Sequence, residues 1–260
     1  MGHERVGFLP KTKKWNAIVS GIVDFSDNSE AISQIAAETT KNVRSRFKVI
    51  SSDEGVISAF KYLIVLSFAT KQENSISFLN DKGISLSKNF DFFDLGISAK
   101  KYLEKHLQAK EYSTIASQSL MDTISDWFQK NESKQTTLFV TPENPLENWK
   151  KASTGEGFCE LSRSFFANFT KRYLEYFLER EAAWALKNVD ERRHFKKKLE
   201  SLISEVSVHA FETAKITESF SAGWFKKNAQ DKIPSDKKIQ GFVDYSFHKI
   251  NSELLREENS

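Results

Sequence analysis

The chain has a single cysteine, only four prolines and no long apolar run, and each shortage excludes something. Cys159 alone can form no internal disulfide and no multi-cysteine metal site, which points to a reducing cytosol. No stretch reaches the roughly 18 consecutive apolar residues of a membrane span, and residues 1–14 lack the apolar segment of a secretory signal. Met1-Gly2 invites an N-myristoylation reading, but Val6 stands where that signal requires Ser or Thr. A soluble, cytoplasmic protein with no membrane partner is therefore expected. Also missing are a P-loop, a dinucleotide glycine fingerprint, a His-Glu-x-x-His pair and a nucleophile elbow. No repeat of fixed period and no low-complexity tract is present.

What the chain does have is phenylalanine. There are 22 in 260 residues, within 39% hydrophobic and 13% aromatic content, enough for one sizeable core or two smaller ones. The formal net charge is +3. Arg5, Lys11, Lys13 and Lys14 against Glu4 account for all of it, so the remainder balances to zero. A domain that gripped nucleic acid over a whole face would be more basic than this.

The most regular stretch runs over 158–227. Placed at 100° per residue, Phe165, Phe166, Phe169, Tyr173, Tyr176, Phe177 and Trp184 fall within an arc of about 120°, the width of a core-facing helix. Gly155 and Gly157 lie ahead of this helix as breakers, and Asn188 to Asp190 carry end and restart signals. A second stripe then runs through Phe195, Leu199, Leu202, Ile203, Val206, Ala210, Thr213, Thr217, Phe220 and Trp224. It predicts one helix of about eight turns. So short a connection predicts that the two helices lie antiparallel, aromatic arc against stripe.

Upstream, periodicity predicts amphipathic helices from Trp15 onward, over 29–47, over 95–107 and over 112–129. The segment 55–69, capped by Ser52 or Asp53, is apolar nearly all round, the mark of a central helix wrapped by others. Ile84 to Leu86 reads as a brief extended piece after a turn at Asp81-Lys82-Gly83. Periodicity fails over 130–157, which holds Pro142 and Pro145. After a polar connector containing Pro234, Ser235 starts a last helix with Ile239, Phe242, Val243, Phe247, Ile250 and Leu254 on its packing face. The expected architecture is all-α: a helical bundle over 1–129, a linker over 130–157, and a helical hairpin with a final helix over 158–260.

Four features invite a chemical reading. The first is Gln135-Thr136-Thr137-Leu138-Phe139, in the expected linker. It resembles the pentapeptide by which bacterial proteins bind the replicative sliding clamp. The resemblance implies an extended peptide with Gln135 hydrogen-bonding at one pocket and Leu138 and Phe139 anchored in an apolar groove. The two threonines depart from the Leu and Ser or Asp favoured at the middle positions. Physically, a Leu-Phe pair in a polar, proline-flanked stretch suits a peptide that docks into a partner's groove.

The second is a basic run in which Arg192, Arg193, Lys196 and Lys197 cover one side of a helix, roughly opposite Phe195 and Leu199. Such a face can be simply solvated or can touch nucleic-acid phosphates without reading sequence. The third is the edge formed by Glu205, His209 and Glu212, which could ligate a metal or stand as an ordinary solvated edge; Arg180 inside the aromatic arc is a candidate ion-pair partner for it. The fourth is Phe211, which points about 130° away from the stripe and needs a second surface to cover it. Cys159 has only distant histidines as candidate bases and reads as a packing residue. The expectation is a non-enzymatic adaptor subunit with protein partners and no cofactor, recruited to DNA through a sliding clamp. The alternative is a metal-dependent hydrolase built on Glu205, His209 and Glu212.

Overall fold

A computed structural model describes residues 18–22, 29–106, 112–131, 146–211 and 219–257. Among them there is no strand, so the protein is all-α as its periodicity predicts. A helical stretch at 18–22 (α1) is followed by α2 (Ser29–Ile50), α3 (Glu54–Ala69), α4 (Ser75–Asp81), α5 (Phe92–His106) and α6 (Ser113–Asn131). A 3-10 helix (Glu147–Ser153) leads into α7 (Gly155–Ala185), then α8 (Val189–Phe211), α9 (Phe220–Asn228) and α10 (Asp236–Glu257).

Helix α3 is the hub. The Asp53 carboxylate caps its N-terminus, accepting from the Gly55 and Val56 backbone N–H groups at 2.8 and 3.2 Å, which satisfies donors that the first turn leaves orphaned. Phe60, Tyr62, Leu63, Ile64, Val65 and Leu66 are then buried in succession, as an apolar surface on every side requires. Tyr62 still finds a partner for its hydroxyl, donating to the Leu95 carbonyl of α5 at 3.2 Å. Four other buried hydroxyls turn back on their own helices. Thr39, Ser67, Ser119 and Ser162 each donate to the carbonyl four residues earlier at 2.7–2.8 Å, so no partner from another helix is needed.

Around α3 the aromatic side chains form a nucleus. The Phe60 ring stacks on Phe242 of α10 at 5.3 Å and meets Phe165 and Phe166 of α7 at 5.5 and 5.1 Å. Phe247 of α10 lies edge-on to both Phe166 and Phe169 at 5.0 Å. Edge-to-face and offset geometries of this kind add about 0.5–1.5 kcal/mol per pair beyond area burial. Buried side chains from either side of the expected linker join a single cluster.

Helix α7 starts at a tight junction. The Thr154 hydroxyl caps it by accepting from Gly157 N–H at 3.0 Å. A Cβ on Gly157 would lie 1.9 Å from the Lys151 carbonyl, so only glycine lets the 3-10 helix approach this closely. Gly155 and Gly157 are thus the first turn of the helix rather than breakers ahead of it. Helices α7 and α8 run antiparallel, since Lys171 meets Glu200 at 3.5 Å while Glu175, one turn on, meets Lys196 at 3.4 Å.

Several expectations are corrected. The eight-turn stripe is two helices: α8 ends at Phe211 and α9 starts at Phe220, with the Ser219 hydroxyl accepting from Ala222 N–H at 3.1 Å as its cap. Thr213 and Thr217 lie outside the described residues. Trp184, placed in the buried arc by its angle, is 78% exposed, and Tyr176 is 37% exposed. Phe211 needs no outside partner, because Phe166 and Phe220 cover it at 5.9 and 5.0 Å. Ile84 to Leu86 pass through irregular backbone; the turn before them places Gly83 at φ 85°, a conformation that favours glycine. Residues 146–157 of the expected linker pack against the body, with Leu146, Trp149 and Ala152 all buried.

Candidate functional site

The pentapeptide residues Gln135, Leu138 and Phe139 lie in the segment 132–145, outside the described residues. Both flanks of that segment are described. Trp127, in the last turns of α6, stacks on Trp149 of the 3-10 helix at 5.7 Å, and Phe128 meets the same indole edge-on at 6.3 Å. Trp149 is fully buried. One carboxylate reinforces the clasp: Glu160 of α7 pairs with Lys130 from the end of α6 and, at 2.8 Å, with Lys151 from the 3-10 helix. Burial acts to raise the Glu160 carboxyl, but hydrogen bonds and charge from the two lysines outweigh it and hold the group below its ordinary range. Asn131 and Leu146, on either side of that segment, thus stand next to elements that this clasp holds together. The sequence offered no sign of this clasp, because a lone Trp149 shortly after Pro142 and Pro145 makes no periodic pattern. A second fixed contact joins the same helices, where Arg172 of α7 donates from Nε to Asp122 of α6 at 2.6 Å and from Nη2 at 2.9 Å. This paired geometry raises the guanidinium's affinity for its proton.

On α8 the basic run is largely committed to its own surroundings. Arg193 pairs with Asp190 at 3.1 Å, and Lys196 reaches across to Glu175 and Glu179 at 3.4 and 4.0 Å. Arg192 donates from Nε to the Asn188 carbonyl at 3.2 Å, while Lys197 is exposed. Beneath this face lies a cavity of about 450 Å³ between α7 and α8, which Arg192, Arg193 and Lys196 help to line. Ala182 and Ala183 open it by their small size, a signal visible in the sequence as two adjacent alanines in an otherwise aromatic helix. Glu175 sits on its wall with 13% of its side chain exposed. Burial raises that carboxyl above its ordinary range against the pull of Lys196 and Lys171.

Glu205 and His209 stand one turn apart on the exposed side of α8, while Glu212 lies outside the described residues. Among the described residues no group of three metal-ligating side chains comes together. The Arg180 side chain also lies outside the described set. Cys159 accepts a hydrogen bond from the Ser219 hydroxyl at 3.1 Å, tying α7 to the start of α9. Burial pushes its thiol above the ordinary value, the opposite of what a nucleophile needs. No helix among the described residues is long and apolar enough to cross a membrane. Compared with known proteins, the chain matches no family model, no curated protein and no solved structure.

Proposed function

We propose that the chain is a cytoplasmic, non-enzymatic adaptor that is recruited to DNA by docking Gln135, Leu138 and Phe139 into a bacterial sliding clamp. The observation that carries this reading is the Gln-x-x-Leu-Phe pattern itself, in a segment whose two flanks are held by the Trp127–Trp149 stack and by Glu160. Supporting it are the docking chemistry of such a peptide, polar at one end and apolar at the other, and a rigid frame that limits the entropy lost by the flanks on binding. No direct grip on DNA is needed, because the clamp itself encircles the duplex. Nucleic-acid contact through Arg192, Arg193, Lys196 and Lys197 is a minor addition, since two of the four charges are already paired.

The test is binding of the full chain, and of a peptide covering residues 134–142, to a purified bacterial clamp by surface plasmon resonance. Saturable binding of both is expected, with a loss of at least tenfold in the Leu138→Ala/Phe139→Ala double variant and an unchanged unfolding midpoint. No binding, or binding indifferent to the double variant, overturns the proposal.

A further inference from the structure

The corner where α9 gives way to α10 carries charge that the fold leaves unanswered. Residues 226–238 hold five lysines (Lys226, Lys227, Lys232, Lys237 and Lys238) against Asp231 and Asp236. Lys61 of α3 takes Asp236 at 2.7 Å. All five lysines are exposed, and among the described residues none of their ammonium groups has an ion-pair or hydrogen-bond partner. The basic run on α8 differs, since Arg193 and Lys196 are paired within the fold.

These lysines border an aromatic surface. Phe220 of α9 meets Tyr245 of α10 at 5.0 Å and Trp224 meets Phe242 at 4.5 Å, so the two helices run antiparallel. Lys227, one turn beyond Trp224, therefore comes level with Lys238, one turn before Phe242. Tyr245 is 45% exposed, with Phe220 and Trp224 half-buried beside it. Gly241 lies three residues after Lys238 and four before Tyr245, hence on their side of the helix. Glycine inside a helix is destabilising relative to alanine. Nothing lies within 4 Å of where a Cβ on Gly241 would stand, so packing does not require it, and it leaves a notch between a cation and a ring. The only carboxylate that α10 adds between Lys238 and Lys249 is Asp244.

A polyanion without rings would match the lysines but make no use of Tyr245 or the notch. A bilayer takes up apolar side chains that stand clear of the surface, whereas Phe220 and Trp224 are packed against Phe242. A duplex keeps its base faces stacked on one another. A single strand offers both phosphates and a free base face. We propose that this face binds single-stranded nucleic acid, its phosphates along Lys227 and Lys238 and a base seated over Gly241 against Tyr245. The site is separate from the clamp-binding segment, and Leu138→Ala/Phe139→Ala should leave it intact, so either proposal can fail alone.

The experiment is fluorescence anisotropy of the full chain with labelled oligothymidylate or oligouridylate of about 12 nucleotides. Competitors are a DNA duplex, inorganic polyphosphate and anionic phospholipid vesicles. Saturable binding of at least one of the two strands is expected, displaced far less well by the competitors. Lys227→Gln/Lys238→Gln should weaken it at least tenfold and lower the slope of log K against log salt by about 1.4, two phosphates' worth. Tyr245→Leu should weaken it at least fivefold while leaving polyphosphate binding unchanged. Gly241→Gln, which fills the notch without meeting a neighbour, should weaken it at least tenfold with no fall in the unfolding midpoint. No binding of either strand overturns the proposal. So does polyphosphate, duplex or vesicle binding as tight as that of the strand, or strand binding indifferent to both Tyr245→Leu and Gly241→Gln.

Discussion

The two ends of α7 share one helix and one general spacing of apolar residues, yet they end up in opposite conditions. Near its start Phe158, Phe165, Phe166 and Phe169 are fully buried among α3, α9 and α10, and nearly every large ring touches two or more others. Near its end Ala182, Ala183 and Ala185 replace the rings, a groove opens against α8, and Trp184 stands 78% exposed. A side chain's angle on a helix says which way it points. Whether it is buried depends on a neighbour being there to meet it, and helix periodicity carries no information about where neighbours stop.

The contrast can be broken at its strong end first. Phe166→Ala removes a ring that meets Phe60, Phe165, Phe211 and Phe247, and is expected to cost about 3–5 kcal/mol in urea unfolding. A loss under about 1 kcal/mol would mean that the aromatic nucleus is not what holds the body together. Glu160→Gln is expected to cost about 1.5–3 kcal/mol, the scale of hydrogen bonds to a charged group. It should also change the acid response. Because the folded carboxyl is held below its ordinary value, its contribution is present above the unfolded value and is lost as pH falls through the folded one. Stability of the parent chain between neutral and acid pH should therefore fall more steeply than that of the Gln variant. At the weak end Trp184→Ala should change stability by no more than about 0.5 kcal/mol and remove a quencher-accessible part of the tryptophan emission, Trp184 being the most exposed of the described tryptophans.

Much of the fold was legible. An apolar surface on every side of 55–69 marked the hub, Asp53 was one of the two caps expected for it, and the aromatic arc found α7 to within a few residues at either end. The break between α8 and α9 was hidden because the stripe of apolar and small residues keeps its spacing straight through Ala210, Thr213, Thr217 and Phe220. Only Ser219, a serine directly ahead of an aromatic helix, signalled a new start. The clasp around Trp149 was illegible for a different reason. A 3-10 turn is too short to show a period, and a Trp-on-Trp contact between residues 22 positions apart leaves no local trace. Of the candidate sites, the basic run was readable as charge, but its partners Glu175 and Glu179 belong to the preceding helix and became visible only once the two were folded together.

The stacking of Phe242 on Phe60 has a consequence for how the protein is made. These rings are 182 positions apart, and at about 5–20 residues per second a ribosome adds the second on the order of ten to thirty seconds after the first. Throughout that interval the newly made hub helix has an uncovered apolar flank, a surface that chaperones recognise. Demand for such assistance during translation is built into the order in which the helices emerge.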